Sequence, residues 1–171
     1  MTIRKFRSII AAITITAVFS IFTAGCEETE IEDMTDLTNP IKYRNEEVSY
    51  EAKESCIETF LFSEEDGKYE RYIEGEYWGH KLTFVTLFET GTYTKDESKE
   101  GKNIKLSPKK MYDFDTHQLE YLGIKDQVPY YALLTDTKLT ITWTVGTGYK
   151  PQPVDITVDI DYQRVNNQGS N

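Results

Sequence analysis

Two stretches near the C-terminal end alternate apolar and polar residues one by one, and they constrain the fold more than any other feature. In the first, Leu139, Ile141, Trp143 and Val145 alternate with Thr140, Thr142 and Thr144. In the second, Val154, Ile156, Val158, Ile160 and Tyr162 alternate with Asp155, Thr157, Asp159, Asp161 and Gln163. Successive side chains of a strand point to opposite faces, so strict period two specifies a strand with one buried face. A slip of one residue would turn the whole apolar set outward, which fixes the register.

The middle of the chain carries further strand signals. The run Cys56-Ile57-Glu58-Thr59-Phe60-Leu61-Phe62 is β-branched and aromatic and ends at Asp66-Gly67, a strong hairpin cue. The return run, residues 68–78, contains Gly75, which predicts a bulge or a sharp bend. Gly79-His80 turns the chain again. Residues 81–88 and 92–94 read as a second hairpin about Glu89-Thr90-Gly91, with Gly91 placed for positive φ. Ile104 and Leu106 form a short strand closed by Ser107-Pro108, and residues 111–114 form another. Residues 115–127 read as loop or a single helical turn. Residues 128–135 pair with 138–145 across Asp136-Thr137. Residues 146–153 are a turn-rich loop, and residues 41–54 allow a short helix. The count is about eight strands joined by short turns, which predicts an all-β sandwich or barrel. An antiparallel up-and-down barrel leaves no exposed edge.

The N-terminal end has a different character. Arg4, Lys5 and Arg7 precede an uncharged run, and Thr23-Ala24-Gly25 leads into Cys26. A basic head, an apolar run and small residues before the cleavage point mark a secretory signal peptide. The apolar run, residues 9–22, falls short of the roughly 20 residues of a membrane span. The stretch resembles the lipobox of bacterial lipoproteins, although Thr23 stands where Leu is usual. The resemblance implies cleavage before Cys26, diacylglycerol and palmitate on the new N-terminus, and location in the cell envelope, periplasmic or at the cell surface. The expected organisation is a leader (1–25), an acidic tether (26–45), a barrel domain (46–166) and a frayed tail (167–171).

Charge narrows the partners. The chain carries −10, and the leader holds three cations and no acid, so the processed chain carries −13. That argues against nucleic acid, whose binding needs Lys and Arg to neutralise phosphates. It argues equally against an electrostatic hold on anionic headgroups. With Cys26 lipidated, Cys56 is either a buried thiol or the half of an intermolecular bridge.

The β region also resembles the lipocalin-like lipoproteins, over residues 55–165. Gly75-Glu76-Tyr77-Trp78 is similar to the opening motif of their first barrel strand. Residues 82–94 are similar to their first hairpin, and Tyr162-Gln163-Arg164 to the arginine that closes the barrel base. The resemblance implies a barrel whose mouth holds a small hydrophobic ligand, with Trp78, Phe84 and Trp143 as the expected lining and Arg164 stacked on Trp78. A filled core is the alternative, since an eight-stranded barrel either packs its interior or encloses one small molecule. An interaction protein acting through its acidic face, such as an inhibitor of a basic enzyme or an adhesin, would fit that case.

No catalytic or cofactor chemistry is expected. His80 and His117 lack partners at metal-ligand spacing, and no nucleophile elbow or phosphate loop occurs. Asp155, Asp159 and Asp161 share one strand face, read as solvated because it lies opposite the apolar stripe.

Overall fold

The computed structural model describes residue 31 and residues 34–50, 54–146 and 155–165. Cys26, residues 147–153 of the expected loop and the expected tail (167–171) lie outside the described residues. Nine strands follow one another: β1 (Ile41–Val48), β2 (Cys56–Ser63), β3 (Lys68–Tyr77), β4 (His80–Lys95), β5 (Ile104–Asp113), β6 (Gln118–Tyr121), β7 (Tyr130–Leu134), β8 (Lys138–Gly146) and β9 (Asp155–Val165). Consecutive strands pair antiparallel except β6 and β7, which both pair with β5, and β9 returns to β1 through Tyr43 opposite Arg164. β4 also pairs with β5, which closes the sheet into the expected all-β, up-and-down barrel.

The eighth wall strand is built in two parts. β6 pairs with Lys110–Asp113 of β5 and β7 with Ile104–Leu106, both antiparallel. Both lie along the same edge of β5, and residues 122–129 loop out between them. The barrel therefore has eight staves, one of them interrupted.

The closing strands follow the alternation. Leu139 pairs with Tyr162 and Ile141 with Ile160, while Thr140 pairs with Asp161 and Thr142 with Asp159. The first set enters the core. On the other face Asp161 accepts from Thr140 at 2.7 Å and from Lys138 at 2.9 Å. The Asp66-Gly67 and Asp136-Thr137 hairpins also form, with Gly67 at φ 61° and the Thr135 amide donating to the Lys138 carbonyl.

Four local expectations are corrected. Residues 41–48 are strand, not helix: Tyr43 and Val48 face the core and the backbone pairs on both sides. There is no turn at 89–91, because β4 runs unbroken through Gly91. Pro108 does not end a strand, because β5 runs through it. Residues 115–127 include the strand β6. The second and third corrections have one cause. Gly91 pairs with Pro108 where the ladder slips by a residue, and a Cβ on Gly91 would lie 2.3 Å from the Ser107 carbonyl and 2.7 Å from the Tyr69 ring. A bulge tolerates a proline that cannot donate, and glycine lets the two backbones approach. Gly75 does mark a bulge, at φ 114°.

Described residues before β1 pack on the outside of the barrel. Ile31 is buried against Leu61 and Tyr72, with Leu37, Val85 and Leu87 beside it. Thr35 donates to Glu70 at 2.6 Å, and the Thr38 amide to Asp66 at 2.8 Å. Ile31, Thr35, Leu37 and Thr38 of the expected tether are thus tied to β2, β3, β4 and the β2–β3 turn, and its residues 41–45 belong to β1.

Candidate functional site

The barrel interior is filled, and its centre is charged. Inward positions on β2 are Cys56, Glu58, Phe60 and Phe62; on β3 they are Tyr69, Arg71 and Ile73. Arg71 pairs with Phe60 on one side and Glu89 of β4 on the other. Arg71 and Glu89 are each 2% exposed and Glu58 is fully buried. Arg71 Nη2 lies 2.6 Å from Glu58 Oε1, and Nη1 lies 3.9 Å from Glu89 Oε2. Burial opposes the guanidinium charge, but the Glu58 carboxylate leads the groups that oppose that loss, and the pKa of Arg71 is held well above its ordinary value.

Tyrosines satisfy the remaining carboxylate lone pairs. Tyr50 donates to Glu58 Oε1 at 2.8 Å and Tyr162 to Oε2 at 2.6 Å. Tyr69 and Tyr130 both donate to Glu89 Oε1, at 2.5 and 2.7 Å. Burial raises the pKa of all four phenols, and the adjacent carboxylates raise it further. Trp143 Nε1 donates to the Tyr162 hydroxyl at 2.8 Å, and its ring lies 4.6 Å from the Arg71 guanidinium carbon. Phe88, Tyr77 and Phe60 complete an aromatic cage around the cation. A buried charge persists only when paired and hydrogen-bonded, which this cluster achieves except at Arg71 Nε, which finds no hydrogen-bond partner among the described residues.

The open space lies at one end, where β1 begins and β2 ends. A cup of about 660 Å³ is lined there by Ile41, Tyr43, Phe62, Tyr93, Ile104 and Leu134, with Glu64, Lys95, Glu97, Asp136 and Arg164 around them. Arg164 Nη1 donates to the Asp136 carbonyl at 3.0 Å, and the Tyr43 hydroxyl to the Thr135 carbonyl at 2.9 Å. The cup therefore joins an aromatic and aliphatic surface to charges of both signs.

The residues expected to line a ligand site do not converge on this cup. Trp143 lies inside, over Arg71. Trp78 is 38% exposed at the other end of the barrel, on the two-residue turn between β3 and β4, stacked on Tyr50 with ring centroids 6.1 Å apart. Phe84 is 80% exposed, on a bulged part of β4. Arg164 cannot stack on Trp78, because the two sit at opposite ends of the barrel; the cation over an indole is Arg71, over Trp143. Cys26 lies outside the described residues. Cys56 is a buried free thiol. His80 stacks on Phe114 at 3.8 Å, and His117 hydrogen-bonds the Tyr112 hydroxyl. Among the described residues no three His, Cys, Asp or Glu side chains converge as a metal site requires.

The sequence reading missed Glu58, Arg71 and Glu89. A signal existed, since Glu58 stands between Cys56 and Phe60, and Arg71 between Tyr69 and Ile73, at positions that alternation assigns to the core.

Among the described residues the geometry is that of a closed eight-stave barrel with an ionic centre and an open mouth where β1 begins and β2 ends. No family model matches the chain, and neither characterised proteins nor solved structures give a significant match.

Proposed function

We propose that this chain is a binding module of the bacterial cell envelope: a lipid-anchored, lipocalin-like barrel that takes one small hydrophobic molecule with polar ends into its mouth. The observation that carries the reading is the cup, whose volume of about 660 Å³ falls in the range of small-molecule sites and whose lining includes Tyr43, Phe62, Ile104 and Leu134. Because the ionic cluster fills the barrel below it, the ligand seats at the rim and does not thread a tunnel. Tyr43, Phe62 and Tyr93 offer ring faces, and Lys95 and Arg164 offer cations for a carboxylate or sulfonate end. The lipobox resemblance around Cys26 supports the anchor and the envelope location.

The test is titration of the purified protein with 1-anilinonaphthalene-8-sulfonate, an apolar body bearing one anion. Saturable one-to-one binding, weakened by Arg164→Ala and by Tyr93→Ala with circular dichroism unchanged, is expected. Absence of saturable binding, together with native mass spectrometry showing no co-purified small molecule, would overturn the reading. Loss of palmitate labelling in Cys26→Ala tests the anchor separately.

The filled interior favours a second reading, an interaction protein that presents its acidic outer face to a basic partner. Its signature is protein binding that weakens steeply with salt.

A further inference from the structure

We infer that the barrel lies side-on against an anionic membrane, touching it through the looped-out segment between β6 and β7. The inference rests on the reading that Cys26 carries the lipid anchor. Three large apolar side chains stand out there: Tyr121 is 79% exposed, Ile124 92% and Val128 67%. The Gly123 carbonyl accepts from the amides of Asp126 and Gln127, at 2.9 and 3.2 Å, so Ile124 and Lys125 form the tip of a fixed turn.

Cations gather around that tip. Lys109 Nζ donates to Gln127 Oε1 at 3.1 Å, and the Lys109 carbonyl accepts the Leu122 amide at 2.9 Å. Lys110 Nζ lies 4.4 Å over the Tyr121 ring. The neighbouring acids are Glu120, which accepts the Thr116 hydroxyl at 2.7 Å, Asp126, which folds back toward Gly123, and, in the adjoining groove, Asp36 and Glu70, the latter accepting from the Thr35 and Tyr72 hydroxyls. The processed chain carries −13 as a whole, whereas the tip itself places Lys109, Lys110 and Lys125 beside its apolar side chains. An apolar tip with flanking lysines and a tyrosine suits the headgroup region, where a Tyr ring is amphipathic and Lys attracts anionic lipid.

The route of the chain supplies the second, independent argument. From Cys26 to Ile31 a fully extended backbone reaches at most about 18 Å. Ile31 is buried on the outer wall, and the chain continues along it to Leu37. Leu37 shares an outer groove of about 490 Å³ with Lys109, Lys110 and Tyr121. An anchor at Cys26 therefore holds this side of the barrel near the bilayer, and the cup, at the end of the barrel axis, stays open to solution.

The test uses the full-length, lipidated protein on vesicles of phosphatidylcholine with and without phosphatidylglycerol. A bimane label on Ile124→Cys, repeated on Val128→Cys, is compared with one on Thr157→Cys of β9, an exposed position two staves further round the barrel. The expected result is quenching of the first two by doxyl-lipid and shielding from iodide, with the third label iodide-accessible. Lys109→Glu with Lys110→Glu should lower the doxyl quenching at least twofold, and only in the phosphatidylglycerol vesicles. Protein that floats with the vesicles while all three labels stay equally open to iodide overturns the inference and leaves the anchor intact. Protein that fails to float, with Cys26→Ala indistinguishable from the parent, overturns the anchor and the inference with it.

Discussion

Arg71 donates to Glu58 across 2.6 Å in a barrel centre that both side chains reach from adjacent strands, shut away from solvent. Removing the cation strands two carboxyl groups in the core. Arg71→Met is expected to cost about 3–5 kcal/mol, the usual penalty for breaking a buried pair. Adding Glu58→Gln and Glu89→Gln should recover part of the loss, because the shape stays filled while the unpaired charges go. Urea denaturation of the set measures this; a triple variant less stable than Arg71→Met would refute the ionic account.

Alkali should unfold the protein through its interior. Tyr50, Tyr69, Tyr130 and Tyr162 have pKa values raised by burial and by neighbouring carboxylates. In the unfolded chain the same phenols ionise near the ordinary value of about 10. Stability is therefore complete below pH 10 and falls as pH rises beyond it, because the unfolded state alone releases protons. Tyrosinate absorbance at 295 nm is expected to show a second phase that coincides with loss of the far-ultraviolet signal.

Gly91→Ala should be more damaging than Gly67→Ala. A Cβ at Gly91 meets backbone at 2.3 Å, whereas at Gly67 it meets nothing within 4 Å and only the φ of 61° is strained. Overpacking of that kind costs about 1–3 kcal/mol, and a left-handed alanine about 1 kcal/mol. Thermal melts of the two variants give the comparison.

Cys56 should resist thiol reagents in the native protein. Burial and then the nearby Glu58 push its thiol up to about 12, so almost no thiolate exists at pH 8. Ellman's reagent is expected to react only after denaturation. Prompt reaction of the folded, reduced protein would contradict the buried thiol.

Much of the barrel was legible because its closing strands alternate cleanly, and Leu139, Ile141 and Tyr162 enter the core where period two places them. Punctuation misled in the middle of the chain. Gly91 and Pro108 each signal a break locally, yet they face each other across one bulge, a tertiary relationship that neither residue's neighbours encode. The ionic centre was hidden for another reason. Glu58 and Glu89 are two of 29 acidic residues, and an acid in a strand normally points outward. Only the inward parity of Glu58 and Arg71 singles them out. The cup gathers its lining from six strands and the loops between them, so no contiguous stretch could have announced it.

The seam between β1 and β9 has a bearing on biogenesis. Tyr43 cannot meet Arg164 until nearly the whole chain has been made, and the Asn45 side chain reaches the Asp161 carbonyl across 116 residues. Contacts of such long range form late and slowly. Any shorter nascent chain is an open sheet with two bare edges. The cylinder shuts only once β9 has arrived.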